Sequence, residues 1–167
     1  KQMISLRSKF QNYKTYAVAN VIQLFSSEQM KKSLTFRASY FESSICRNEG
    51  NGKFTLMPLP PEAQMAPING IVTGDFNKDG FSDVAITGND WGTEVLTGRY
   101  DALNGLIMTG RGNCDFTTMS LSESGFYVPG NGRGLIKFTD GSGSLFLAAA
   151  QNRGKLKIFR LNSKTIP

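Results

Sequence analysis

The residues best placed to do chemistry lie in the run Gly74-Asp75-Phe76-Asn77-Lys78-Asp79-Gly80-Phe81-Ser82-Asp83. Oxygen-bearing side chains occupy the alternate positions Asp75, Asn77 and Asp79, and Asp83 follows four residues later. In a tight loop, alternate side chains turn toward one point. Gly80 behind them admits the positive φ with which a chain reverses. The carbonyl of Phe81 adds a backbone oxygen, and the Asp83 carboxylate closes the set. Calcium is a hard cation that takes about six to eight oxygens, so it suits these donors. Without a cation the crowded carboxylates repel one another. The expected metal ligands are therefore Asp75, Asn77, Asp79, Phe81 through its carbonyl, and Asp83, with Ca2+ as the cofactor. The competing reading is an Asp- and Asn-rich turn that holds no ion.

The loop is not an EF-hand. Such a loop ends on glutamate at its twelfth position, which here is Ile86. The flanks Ile71-Val72-Thr73 and Val84-Ala85-Ile86 are β-branched and strand-like rather than helical. Elsewhere the sequence offers little for catalysis. It has no histidine, which removes the Ser-His-Asp and Cys-His nucleophile systems and the usual zinc ligand. Cys46 and Cys114 are too few for a zinc cluster or a disulfide framework and are expected to stay unpaired. Residues 89–104 carry Trp91, Glu94, Arg99, Tyr100 and Asp101. Trp91, Arg99 and Tyr100 have the composition of an interface anchor and are the candidate ligand-binding residues; the alternative is a hairpin packing its own side chains. Glu94 and Asp101 are a candidate carboxylate pair for a hydrolytic, glycan-acting module, the second functional reading, although paired carboxylates on glycine-rich loops are common by chance. The preferred reading is not an enzyme. Gly130-Asn131-Gly132-Arg133-Gly134 lacks a phosphate-loop lysine and reads as a turn.

The net charge of +6 is unevenly spread. Residues 1–53 hold nine basic residues against three acids, residues 54–132 three against nine, and residues 133–167 seven against one. A nucleic-acid binder concentrates its basic residues in a stripe interleaved with aromatics, so no nucleic-acid partner is expected. The acidic middle is where a cation would be held. No run of about 18 apolar residues occurs, and no membrane insertion is expected. The chain begins at Lys1 without a signal-type apolar stretch and reads as a processed or trimmed piece.

The elements that position the loop follow from periodicity. Leu6, Phe10, Tyr13, Ala17, Val21 and Leu24 recur at helical spacing, and Ser26, with Gln29 three residues on, caps a second short helix near Glu28. Residues 1–33 are thus expected to be helical. From Leu34 the period falls to two, with Leu34, Phe36, Ala38 and Tyr40 alternating with polar residues. Residues 34–167 are expected to form antiparallel strands parted by glycine turns. Within them, residues 44–89 match residues 106–151 without a gap, with twelve identities in 46 positions, among them Ile45/Ile107, Gly50/Gly112, Phe54/Phe116, Met57/Met119 and Gly70/Gly132. The fold class expected is mainly β: tandem antiparallel sheets, as in a partial β-propeller or open blade array, behind a helical segment. In the second copy the loop positions become Lys137, Thr139, Gly141 and Leu145, which should bind no calcium.

The loop, followed by Val84-Ala85-Ile86-Thr87-Gly88, resembles the FG-GAP or VCBS-type repeat of β-propellers, including those of integrin α chains and many secreted bacterial proteins. The likeness runs from about Leu34 to Leu161. The turn Glu49-Gly50-Asn51-Gly52-Lys53-Phe54 and its copy Arg111-Gly112-Asn113-Cys114-Asp115-Phe116 are similar to the family's hairpin, with Cys114 in place of the glycine. The resemblance implies calcium-stabilised blades and an extracellular, cell-surface or periplasmic location. It also implies adhesion or recognition of a protein or glycan ligand, with the remaining blades supplied by a larger chain or by self-association.

Overall fold

A computed structural model describes residues 4–161. The outermost parts of the expected helical and β segments, residues 1–3 and 162–167, lie outside the described residues. The chain divides into two compact units, Lys1–Tyr40 and Phe41–Pro167.

In the first unit the helical stripe is broken into four short helices: α1 (Ile4–Lys9), α2 (Tyr13–Ala17), α3 (Val21–Leu24) and α4 (Ser27–Lys31). The single face expected from Leu6 to Leu24 does not form. Asn12 and Asn20 interrupt it because their side chains accept N–H groups of the following turn, from Thr15 and Gln23, and restart the helix each time. Ser26 and Gln29 form the expected reciprocal capping box of α4. The period-two stretch Leu34–Tyr40 is not a strand. It has no paired strand to satisfy its backbone, and Leu34 and Phe36 stand 84% and 88% exposed. Alternation alone does not make a strand where no neighbour covers one face.

The second unit is mainly β, and its described strands form three antiparallel sheets without a closed barrel. β1 (Ser44–Gly50) pairs with β2 (Lys53–Pro58). After a 3-10 turn at Pro61–Gln64, β3 (Ile68–Gly74), β4 (Asp83–Gly88), β5 (Leu106–Gly110) and β6 (Phe116–Thr118) run as a four-stranded meander in chain order. A short helix α5 (Leu121–Ser124) leads to the third sheet, β7 (Asn131–Thr139), β8 (Leu145–Asn152) and β9 (Lys157–Arg160). Gly130–Gly134 is therefore not a free turn: all but its first residue lie in β7, with a bulge between Gly132 and Gly134.

β4 is buried along its whole length. One of its faces sends Ala85 into a cluster with Phe76, Ile107, Phe126, Val128, Leu135, Leu147 and Ala149. The other sends Val84 and Ile86 against Ala63, Ala66, Leu103, Leu106 and Met108. β7 crosses β3 and β4. That crossing needs Gly70, since a Cβ there would come 2.8 Å from the Leu135 nitrogen and 2.9 Å from the Gly134 carbonyl carbon. Asn69 Nδ2 ties the sheets by donating to the carbonyls of Asn89 and Gly132.

Candidate functional site

The loop of interest joins β3 to β4, with Gly74 paired to Asp83 at its base. Its side chains fold it upon itself. Asp75 accepts the Asp79 N–H through Oδ1 at 3.1 Å and the Gly80 N–H through Oδ2 at 3.0 Å. Asn77 Oδ1 also accepts the Asp79 N–H, at 3.1 Å, while its amide donates to Asp79 Oδ2 at 2.8 Å. Asp79 Oδ1 accepts the Phe81 N–H at 2.8 Å. Lys78 and Gly80 take left-handed φ of 64° and 89°, which bends the backbone around these oxygens.

Asp83 behaves differently. It is 0% exposed, whereas Asp75 and Asp79 are exposed and Asn77 is half-buried. Its Oδ2 accepts the Phe76 N–H at 2.7 Å and its Oδ1 the Gly110 N–H at 2.9 Å. The loop is thereby fastened to the end of β5. The Phe81 ring lies over Gly112 of the next turn, where an added Cβ would meet its Cε1 at 3.1 Å.

The donors at the loop's surface fit a hard cation. A carboxylate or amide oxygen that accepts one N–H keeps a second lone pair, and Asp75, Asn77 and Asp79 hold theirs within a few residues of one another. Among the described residues, no three His, Cys, Asp or Glu side chains gather as a metal-holding group. In the second hairpin the corresponding connection is shorter, residues 140–144 against 75–82, and one carboxylate suffices to close it. Asp140 Oδ1 accepts from the N–H of Ser142 and of Ser144 and from the Ser142 hydroxyl. That hydroxyl, with the two N–H groups, holds the Asp140 carboxyl below its ordinary range.

The insertion 89–104 is pinned at its base. Buried Asn89 donates to the carbonyls of Leu103 and Gly130 and accepts the Leu103 N–H. Asp90 and Tyr100 exchange two backbone hydrogen bonds, 2.8 and 2.9 Å. Beyond that bridge the Arg99 guanidinium stacks over the Trp91 ring, 4.7 Å from its centroid. Trp91, Arg99 and Tyr100 are thus brought onto one exposed hairpin. Glu94 and Asp101 are exposed on the same hairpin, and the Glu94 carboxylate accepts the Leu96 N–H of its own turn. Asp90 pairs with Arg133 of β7 at 3.0 Å. The Gly92 N–H, and then Arg133, hold the Asp90 carboxyl below its ordinary range against the opposing effect of burial.

Three contributors escaped the sequence reading: the Gly110 N–H, Asn89 and Arg133. Each acts across strands that are distant in the chain, and the sequence marks none of them beyond a glycine ending a strand and an asparagine opening the insertion. Cys46 and Cys114 are both free. Among the described residues, no helix is long and apolar enough to cross a membrane. No family model, curated protein or solved structure matches the chain.

Proposed function

We propose that this chain is a calcium-stabilised β repeat module, of the FG-GAP or VCBS type, that supports adhesion, scaffolding or ligand recognition outside the cytoplasm. The observation that carries this reading is the β3–β4 loop, in which Asp75, Asn77 and Asp79 are held in one turn by the backbone N–H groups they accept. Calcium bound there, with the Phe81 carbonyl and water completing its shell, neutralises the two exposed carboxylates and stiffens the turn. Its role is structural, not catalytic.

Two further observations support a propeller-type array. In the first hairpins of the two matched segments, Cys46 faces Leu56 and Met108 faces Thr118, the same register once the 62-residue offset is applied. Their turns take the same course, with φ of 84°, 51° and 74° at Gly50, Asn51 and Gly52 and of 81°, 52° and 62° at Gly112, Asn113 and Cys114. The meander β3-β4-β5-β6 has the strand order of a blade, and β7 of the following sheet lies against β3 and β4 as the first strand of a next blade would. Protein or glycan ligands would be met by the hairpin carrying Trp91, Arg99 and Tyr100.

Thermal melting tests the calcium reading. Calcium at about 100 times its Kd should stabilise by about 2.7 kcal/mol, roughly 8 °C in Tm for a chain of this size. Asp79→Ala should remove that response. Identical melting in calcium and in chelator rules the reading out.

A further inference from the structure

We propose that the 89–104 hairpin docks on a second copy of this chain, with its Val95–Leu96 apex seated on the outward face of that copy's third sheet. The proposal rests on the reading of this hairpin as a recognition surface and names its partner; it does not depend on calcium. Val95 and Leu96 are adjacent and stand 91% and 92% exposed. Single apolar side chains at a surface are common, but here two share one apex, with the exposed Trp91 and Tyr100 rings on the same hairpin. The apex is braced. The Glu94 carbonyl accepts the N–H groups of Thr97 and Gly98 at 2.9 and 3.3 Å, and the Glu94 carboxylate accepts the Leu96 N–H. The Thr93 hydroxyl donates to the Gly98 carbonyl. A knob shaped in advance loses little conformational freedom on docking. It is ill suited to a sugar: its two apex side chains carry no polar atom, and the Arg99 guanidinium lies over the Trp91 ring. The apex calls for an apolar receiver.

The third sheet supplies one of matching character. On its outward face Ile136 and Ile158 flank Ala148, and the Phe138 and Phe146 rings stack beside them. Arg160 pairs with Phe146 and so shares that face, where it is exposed. The three strands contain no acid. Asp140, in the turn between β7 and β8, has its Oδ1 engaged by Ser142 and Ser144. Charge favours the same pairing. Residues 89–104 hold three acids against one base, and residues 133–167 hold seven bases against one acid. Glu94, beside the apex, is exposed and meets Arg160 when Leu96 seats between the two isoleucines. Knob and receiving face are different surfaces, so the contact is heterologous, and each added copy presents a fresh knob or a fresh face. A contact of this size buries less than the roughly 1,200 Å² of a stable interface, so it forms at high protein concentration.

Sedimentation velocity over a concentration series, run in calcium and in chelator, tests the docking with two full-length variants. One lacks the knob (Val95→Ser with Leu96→Ser) and the other the receiving face (Ile136→Lys with Ile158→Lys). The wild-type chain should grow beyond a dimer as concentration rises. Each variant alone should associate about tenfold or more weakly. Mixed, they should form a one-to-one pair that grows no further, because the only intact knob meets the only intact face. Melting curves show that both variants fold; should the double serine variant not fold, Leu96→Gln takes its place. Glu94→Lys should weaken association several-fold, and Arg160→Glu added in the same chain should restore it. Three results would each overturn the docking: a knob variant that associates like the wild type, a mixture that forms no pair, or a charge exchange that restores nothing. The first of these leaves the hairpin free to recognise another ligand, so the recognition reading outlives it. A calcium response that is absent bears on the ion site alone.

Discussion

At Cys114 the backbone takes φ of 62°, a left-handed conformation that L side chains avoid, at the position matching Gly52 in the first hairpin. The turn keeps its course because Gly112 and Asn113 on one side and the β5–β6 pairing on the other fix its ends. The strain sits on one residue and gives a clean measurement. Cys114→Gly is expected to be more stable than Cys114→Ala by about 1 kcal/mol, since both remove the thiol and only alanine keeps the clashing Cβ. Chemical denaturation of the two variants checks this, and equal midpoints would mean that the turn relaxes. The same scale explains what the sequence disclosed of the site. The bonds among Asp75, Asn77, Asp79 and Gly80 span only a few residues, so residue type and spacing are enough to foretell them. The Asp83–Gly110 bond depends on which strands become neighbours, and no local pattern carries that information.

Elements obey the same division. The capping box of α4 is local, and Ser26 with Gln29 announced it. The strands on either side of the loop were legible from their β-branched residues, and the meander made both faces of β4 buried, as its unbroken apolar character suits. Leu34–Tyr40 failed because alternation reports a side chain's preference and not the presence of a partner strand. The crossing of β7 over β3 was likewise unreadable, although it explains why glycine stands at Gly70 and at Gly132, whose added Cβ would strike the Thr87 hydroxyl. Gly70→Ala sets a methyl against the backbone of Gly134 and Leu135, where no flexible side chain can give way. It is expected to destabilise by about 2 kcal/mol, or roughly 6 °C in Tm. A variant melting with the wild type would show that the two sheets separate without cost.

On the scale of the β unit, the two outer sheets each turn an apolar surface to solvent. In the third sheet Ile136 faces Ala148, which faces Ile158, and Phe138 faces Phe146, so these side chains share the face opposite Leu135, Leu147 and Ala149. Ile136 and Ile158 are 61% and 57% exposed, and the Phe138 and Phe146 rings stack 5.3 Å apart beside them. In the first sheet Leu56 and Phe54 form a similar exposed row with Cys46. Contiguous exposed apolar patches larger than a few hundred Å² are unusual on a monomer, so such faces are normally covered by a neighbour. In a propeller-type array that neighbour is the next blade. For the chain on its own, the expected outcome is concentration-dependent self-association through these faces. Static light scattering should show a mass that rises with concentration, together with binding of an apolar dye. Ile136→Lys combined with Ile158→Lys puts two charges on the outward face and leaves the buried clusters untouched, so it should abolish association without lowering Tm by more than a degree or two. A compact monomer at high concentration with no dye binding would refute the open-array arrangement and establish a self-contained fold.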